Sequence, residues 1–337
     1  MTLYGTDPSF YTRKAWLSLA AVGAEFAYAL KTWANKAAVE AAVNGYHRFP
    51  VLDPGDGSGW IVDSTRIGLR LSERFPARSL LPDDPALAIL VRMADDWFDE
   101  WFLRPAILFR AKSDATRHFV ARVGAMNLLG KHEGAAVSAE EEALIARALP
   151  GIDRFFLQSC ATNGVVGEGI AETEALLARA AALLGDTLAP FLFGSRLSLA
   201  DAALWGFLDS GLLWEPEARA WVDANAPLLV DWHARALAAA RAGGGAWDSL
   251  ETAAARLARL LGDDALGFAP FLAANRAALA DGSRRLRVGS VEVPARGFTE
   301  TCRAGIAGAI AALAPTDRAR LEAAVGDWPL FAICRDP

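Results

Sequence analysis

NGYHRFPVLDPGDGSGWIVDSTRI, residues 44–67, holds the signals that decide the fold. Phe49-Pro50 precedes a short apolar run, Val51-Leu52, and a second run follows at Trp60-Ile61-Val62. Between them Asp53-Pro54-Gly55-Asp56-Gly57-Ser58-Gly59 is dense in turn formers, so the two runs predict an antiparallel hairpin. Ser64 to Phe75 then reads as a helix, with Ile67 and Leu71 spaced to face a sheet and Pro76 closing it. Upstream, residues 2–5 are strand-like, and Asp7-Pro8-Ser9 is a polar turn ahead of a helix running through Ala24. Glu25 to Leu30 reads as a second strand and Lys31 to Val43 as helical. The predicted order is β-α-β-α-β-β-α.

Strand signals vanish for well over a hundred residues after Leu81-Pro82-Asp83-Asp84-Pro85, an acidic, Pro-rich linker. Helices are predicted at Ala86 to Lys112, Asp114 to Leu129, Ala139 to Cys160, Ile170 to Leu184, Leu199 to Leu213 and Ala218 to Ala240. Gly243-Gly244-Gly245 marks a linker. Beyond it lie helical stretches at Ser249 to Leu261 and Ala269 to Leu279, a small hairpin within Arg285 to Pro294, and helices near Thr299 to Leu313 and Asp317 to Val325. The fold class is α/β plus all-α: residues 1–80, a helical domain over 86–242, and a mostly helical extension over 246–337.

Composition narrows the function. The 34 basic and 40 acidic residues give a net charge of −6 and no basic stripe suited to a phosphate backbone, which argues against nucleic acid as a partner. The hydrophobic fraction of 53% is ample for cores, yet no apolar stretch approaches the roughly 20 residues that span a bilayer. The first residues lack the apolar segment of a secretory signal, and Cys160, Cys302 and Cys334 are odd in number and widely spaced. Free thiols and a cytoplasmic location are expected. The four histidines and three cysteines show no metal-ligand spacing.

Four local features coincide in order. Ser9 heads the first helix, where unpaired N–H groups stabilise a thiolate and a hydroxyl adds a charge-assisted hydrogen bond. It serves equally as a plain helix cap, and Tyr4 and Tyr11 are alternative hydroxyl donors. Phe49-Pro50 precedes a strand; a cis bond there exposes the Phe49 backbone to an extended peptide, whereas a trans proline would simply start the strand. Arg48, beside His47, is placed to meet a carboxylate or to be solvated. Asp63-Ser64 offers a zwitterion both a carboxylate and N–H donors, and it also suits a simple N-cap. Far downstream, Ser198-Leu199-Ala200-Asp201 is an S-x-x-D capping box.

In that order these features resemble the soluble glutathione transferases, over roughly residues 2–240. The resemblance implies a thioredoxin-like N-terminal domain, a helical second domain nucleated by the capping box, and glutathione as co-substrate. Ser9 would stabilise the thiolate, Phe49 and Pro50 would hold the cysteinyl part, Arg48 the glycyl carboxylate, and Asp63 and Ser64 the γ-glutamyl end. It further implies attack on a small hydrophobic electrophile, and a homodimer. Trp97, Trp101 and Arg104 fall at helical spacing. They fit either core packing or the wall of a pocket opposite Ser9 and Tyr11.

Two departures keep a second class open, a non-catalytic binding or scaffold protein of the same fold. Phe10 follows Ser9 where proline is common in related motifs, and compact transferases lack residues 246–337. Within that extension Arg284-Arg285-Leu286-Arg287 is a basic patch suited to an acidic partner, to the chain's own helices or to solvent.

Overall fold

The computed structural model describes residues 1–188 and 190–336. Its N-terminal elements are β1 (Thr2–Gly5), α1 (Phe10–Ala21), β2 (Ala27–Leu30), α2 (Lys36–Ala42), β3 (Val51–Asp53), β4 (Ile61–Val62) and α3 (Ser64–Arg74). The sheet order is β2-β1-β3-β4, with β1 parallel to β2 and antiparallel to β3, and β4 antiparallel to β3. The element order is the one the sequence pattern predicts, and the arrangement is the thioredoxin-like one that the resemblance implies. Leu3 and Leu52 pair in register and are buried, as are Leu17 and Leu19 of α1 and Ile67 and Leu71 of α3. The first helix stops at Ala21 rather than Ala24, because Gly23 turns the chain with φ +73°.

The helical domain opens with α4 (Pro85–Trp97), capped by the Asp84 carboxylate. A π-helical turn, Phe98–Phe102, carries it without a break into α5 (Leu103–Lys112). The wide turn falls just before Pro105, which cannot donate to the carbonyl four residues back. Next come α6 (Asp114–Leu128), α7 (Ala139–Thr162), α8 (Glu168–Thr187) and α9 (Leu199–Phe207, extended by a π turn to Leu212). The predicted single helix Ala218 to Ala240 is instead two, α10 (Pro216–Asn225) and α11 (Leu228–Ala242). Pro227 breaks it: the residue before a proline is driven out of helical geometry, and Ala226 sits at φ −147°, ψ 50°.

The capping box forms as the motif requires. Ser198 Oγ accepts from Asp201 N at 3.1 Å, and the Asp201 carboxylate accepts from Ser198 N at 2.9 Å and from Leu192 N at 3.0 Å. Burial pushes the Asp201 pKa up to about 6, against the pull of those donors. The helix it starts packs against α1 at very close range. A Cβ at Gly206 would lie 2.5 Å from the Phe10 carbonyl oxygen and 2.8 Å from Lys14 N. Gly206→Ala must therefore push α1 off α9, at an expected cost of about 1–3 kcal/mol, seen as a lower urea midpoint with unchanged m.

The extension contains α12 (Leu250–Leu257), α13 (Phe268–Ala280), the hairpin β5 (Arg285–Val288) and β6 (Val291–Pro294), α14 (Gly297–Ala311), α15 (Pro315–Val325) and α16 (Pro329–Arg335). The last helix was not anticipated from sequence; it begins on a proline at its first position. Helices α14 and α15 lie on α4, and Arg320 of α15 pairs with the Asp84 cap at 2.7 Å. Trp97 Nε1 donates to the Ala265 carbonyl and Trp101 Nε1 to that of Leu266, both at 2.9 Å. These bonds explain why α4 is apolar almost all round. One side meets α9 and another meets the extension. The basic patch is spent locally: Arg285 pairs with Glu292 across the hairpin, Arg287 donates to the Ser290 carbonyl, and Leu286 is buried.

Candidate functional site

Strand register gathers three of the sequence-predicted segments. Tyr4 pairs with Val51, and Val51 with Val62. The residues just past that row, the turn leading from β1 to Ser9, the Phe49-Pro50 dipeptide and Asp63-Ser64, therefore meet at one end of the sheet. Helices α1 and α3 both start there. The first N–H groups of each have no partner within the helix, so the corner carries partial positive charge.

Ser9 is half-buried and caps α1, its Oγ accepting from Thr12 N at 3.2 Å. That contact uses an oxygen lone pair and leaves the hydroxyl hydrogen to donate elsewhere. Tyr11, two residues on, has spent its own: its OH donates to the Asp99 carbonyl at 3.0 Å. Burial, then Glu100 and Asp99, drive the Tyr11 pKa well above its ordinary value. Tyr4 stacks on Trp60 with ring centroids 5.4 Å apart. Phe10, the departure from the related motifs, packs on Phe207 of α9 at 4.9 Å and lies under the Arg110 guanidinium. Its bulk is part of the contact between domains.

The Phe49–Pro50 peptide is cis. Phe49 is half-buried and Arg48 and His47 are exposed. This stretch is held by a residue the sequence did not single out, Lys31. Its buried Nζ donates to the His47 carbonyl at 3.0 Å, pairs with Glu40 at 2.9 Å and lies 5.2 Å from the Phe49 ring centroid. Asp63 caps α3, accepting from Arg66 N at 2.9 Å, and does so at φ +75°, a conformation that costs a non-glycine residue about 1–3 kcal/mol. Burial raises the Asp63 pKa, opposed by the Arg66 amide and by Lys14. Ser64, at the first helical position, is buried.

Beneath this corner lies a buried ionic network. Lys14 Nζ stands 2.6 Å from Asp95 Oδ1, 2.5 Å from Asp99 Oδ2 and 2.8 Å from Thr65 Oγ1. Burial disfavours the Lys14 charge, but the two carboxylates outweigh it and keep the ammonium protonated. The network ties α1 and α3 to the π turn. No sequence motif advertises it, since the two carboxylates lie 81 and 85 positions from Lys14 along the chain.

Of the residues expected to wall a second pocket, the structure brings Tyr11 to the corner and takes Trp97 and Trp101 away from it. Both indoles are buried, 0% and 3% exposed, in the seam with the extension. Of the two fates open to them, core packing is the one they take, and its cause is the apolar cover and the two carbonyl acceptors that residues 265–271 supply. Arg104 is buried too, stacked 4.7 Å above the Trp101 ring. Among the described residues no His, Cys, Asp and Glu cluster is arranged to hold a metal ion, and no helix is long and apolar enough to cross a membrane.

Residues 3–79 match the family model of the glutathione S-transferase N-terminal domain. Among solved structures, the beta-etherase LigF from Sphingobium sp. strain SYK-6 is similar at 22% identity and a TM-score of 0.46, over 71% of this chain and 97% of that one. A glutathione S-transferase from Methylobacterium radiotolerans JCM 2831, in complex with glutathione sulfonate, is similar at 22% identity and a TM-score of 0.41, over 74% and 97%. The theta class glutathione S-transferase from Xanthomonas axonopodis pv. citri, with glutathione bound, is similar at 21% identity and a TM-score of 0.39, over 69% and 90%. No curated protein matches the chain in sequence.

Proposed function

Starting from an N-terminal domain that matches the glutathione S-transferase model, we propose that this protein binds glutathione and activates its thiol for attack on a small electrophile. One observation carries the reading: the strand register sets Ser9, Phe49-Pro50 and Asp63-Ser64 around a single corner of the sheet. The Ser9 hydroxyl, free to donate, stabilises the thiolate sulfur. Backbone groups at Phe49 pair with the cysteinyl unit, with Arg48 on the glycyl side. Asp63 takes the α-amino group of the γ-glutamyl end, and Ser64 with the first N–H groups of α3 takes its carboxylate. The sulfur then bonds to an electrophilic carbon, the bond from that carbon to its leaving group breaks with its electron pair, and the thiol proton goes to solvent.

Titration calorimetry with glutathione tests the binding. Saturation is expected in the millimolar range or tighter, and Asp63→Asn, which keeps the helix cap but removes the charge facing the ammonium, is expected to weaken it about tenfold. No saturable heat with the folded wild-type chain overturns the reading. Light scattering on the same samples reads whether the homodimer implied by the resemblance forms.

The burial of Trp97 and Trp101 favours a second reading, a glutathione-binding protein without turnover, because two aromatics that would line an electrophile pocket are occupied. Turnover with a generic electrophile such as 1-chloro-2,4-dinitrobenzene separates the two.

A further inference from the structure

Thr6-Asp7-Pro8 carries the chain from the end of β1 to Ser9, and the helical domain grips this segment along its length. Asn127, near the end of α6 and 1% exposed, holds its first two residues. The Asn127 Oδ1 accepts from the Thr6 hydroxyl at 2.9 Å and from Asp7 N at 2.7 Å. Its Nδ2 donates to Asp7 Oδ2 at 3.0 Å and to the Lys131 carbonyl at 2.9 Å. Both lone pairs and both N–H groups of the amide are therefore used. His132 Nδ1 meets the same Asp7 oxygen at 2.8 Å, and Arg110 Nη2 lies 3.5 Å from the Pro8 carbonyl. From the segment's own domain, Ser9 N donates to the Thr6 carbonyl at 3.2 Å, and Asp7 Oδ1 takes Tyr28 OH at 3.1 Å and Arg13 at 3.7 Å. These leave the Thr6 side chain and the Asp7 amide to Asn127.

The grip resumes immediately after Ser9. Phe10, which stands where proline is common in related motifs, packs on Phe207 at 4.9 Å with the Arg110 guanidinium 4.6 Å from its ring centroid. There is no slack around it: a Cβ at Gly211 would come within 2.8 Å of the Phe10 ring, and one at Gly206 within 2.5 Å of its carbonyl oxygen. Tyr11 donates to the Asp99 carbonyl at 3.0 Å. Arg296 of the extension holds the next carbonyl, that of Glu100, at 3.3 Å, and also donates to Asn163 Oδ1 at 2.7 Å. Ser9 thus stands between two clamped stretches, while its own side-chain bond runs to Thr12 N inside α1.

A hydroxyl stabilises a thiolate only along a narrow line. Hydrogen bonds weaken steeply once the donor angle falls below about 120°, and a misplacement of about 1 Å near reacting groups can cost about 100-fold. A short coil without anchors has the freedom to carry a hydroxyl at its end that far. The placement of Ser9 is accordingly a property of the segment before it, and that segment is fixed from the other domain.

We propose that Asn127 is a positioning residue for Ser9: it fixes Thr6 and Asp7 so that the hydroxyl faces the glutathione sulfur, and it makes the docking of the two domains a condition for activating the thiol. The inference rests on the glutathione reading and on Ser9 as the group that meets the sulfur. Asn127 touches no reacting atom. A purely structural Asn127 would alter stability and leave the bound thiol as it is.

The ultraviolet absorbance of bound thiolate is followed against pH in the full-length protein, as wild type, Asn127→Ala, Thr6→Val, Ser9→Ala and the double variant Ser9→Ala/Asn127→Ala. Calorimetry reads glutathione affinity and urea melts read folding. Asn127→Ala is expected to move the apparent pKa of the bound thiol upward by about one unit, a tenfold loss of thiolate at lower pH, with affinity changed by less than about threefold. Thr6→Val, which removes one bond to Asn127 and keeps the side-chain shape, is expected to give a smaller shift of the same sign, and it decides the question if Asn127→Ala does not fold. In the Ser9→Ala background, Asn127→Ala is expected to add nothing. An unmoved thiol in the folded variant, or an equal shift with and without Ser9, overturns the positioning role and leaves glutathione binding standing. No saturable binding of glutathione to the folded wild type overturns both.

Discussion

Lys14→Met is expected to destabilise the folded protein by about 3–5 kcal/mol at neutral pH, because it strands Asp95 and Asp99 with no counter-charge in a place water does not reach. The loss is bounded by protonation. A carboxyl with an unfolded pKa near 3.9 takes up a proton at pH 7 for about 4 kcal/mol, so the variant refolds with neutral acids rather than bare charges. Burial already pushes Asp95 up to about 7 with Lys14 present, and removing the lysine raises it further. The sign of the pH dependence follows. An acid whose folded pKa lies above its unfolded value favours folding at low pH and loses that advantage as pH rises through the folded pKa. The deficit of Lys14→Met against wild type is thus largest near pH 8 and shrinks toward pH 5. Urea melts at the two pH values check this, and a deficit that grows on acidification contradicts it. Adding Asp95→Asn and Asp99→Asn is expected to recover most of the loss, since the penalty belongs to the unpaired charges and not to the missing lysine.

Ser9→Ala is expected to lower turnover by about 10–100-fold near pH 7 while changing glutathione affinity by less than about twofold. A hydrogen bond to a thiolate contributes roughly 1.5–3 kcal/mol, which is one to two units of thiol pKa. The pH profile of the rate should therefore move upward by that amount and the variant should approach wild type in alkaline buffer, where free thiolate forms without help. Ultraviolet absorbance of the bound thiolate gives the same pKa directly. Loss of the cap bond to Thr12 costs about 1 kcal/mol as well, so the comparison is made well below the melting range. An unchanged rate would shift the role to Tyr4 or to the α1 amides. Tyr11 is the poorer substitute, with its proton committed to the Asp99 carbonyl.

What sequence revealed depended on distance along the chain. The N-terminal sheet and helices, the hairpin at Arg285–Pro294 and the Ser198-Asp201 box are local patterns, written in turn residues, caps and periodicity. Asp63 and Ser9 were visible for the same reason, as caps. Arg296 and Lys14 were not. Their meaning comes from partners 133 and 85 positions away, Asn163 and Asp99, and an isolated Arg in a connection or Lys in a helical pattern reads as surface. Trp97 and Trp101 lay between these cases: helical spacing showed that they share a face but not that residues 265–271 cover it. Pro227 is a local signal of the same kind, and it divides the predicted helix Ala218 to Ala240 in two.

The bonds from the two indoles to the carbonyls of Ala265 and Leu266 also bear on the order in which the molecule is made. On the ribosome α4 emerges well before its cover. Trp97 and Trp101 then wait, apolar and without acceptors, until the last part of the chain has been translated. Domains commonly fold as they appear during synthesis, and exposed apolar surface at that stage is where aggregation starts. A chain released near the Gly243-Gly244-Gly245 linker is therefore expected to expose the face of α4 that carries Trp97 and Trp101 and to aggregate more readily than the full-length protein, which light scattering on a chain truncated there checks.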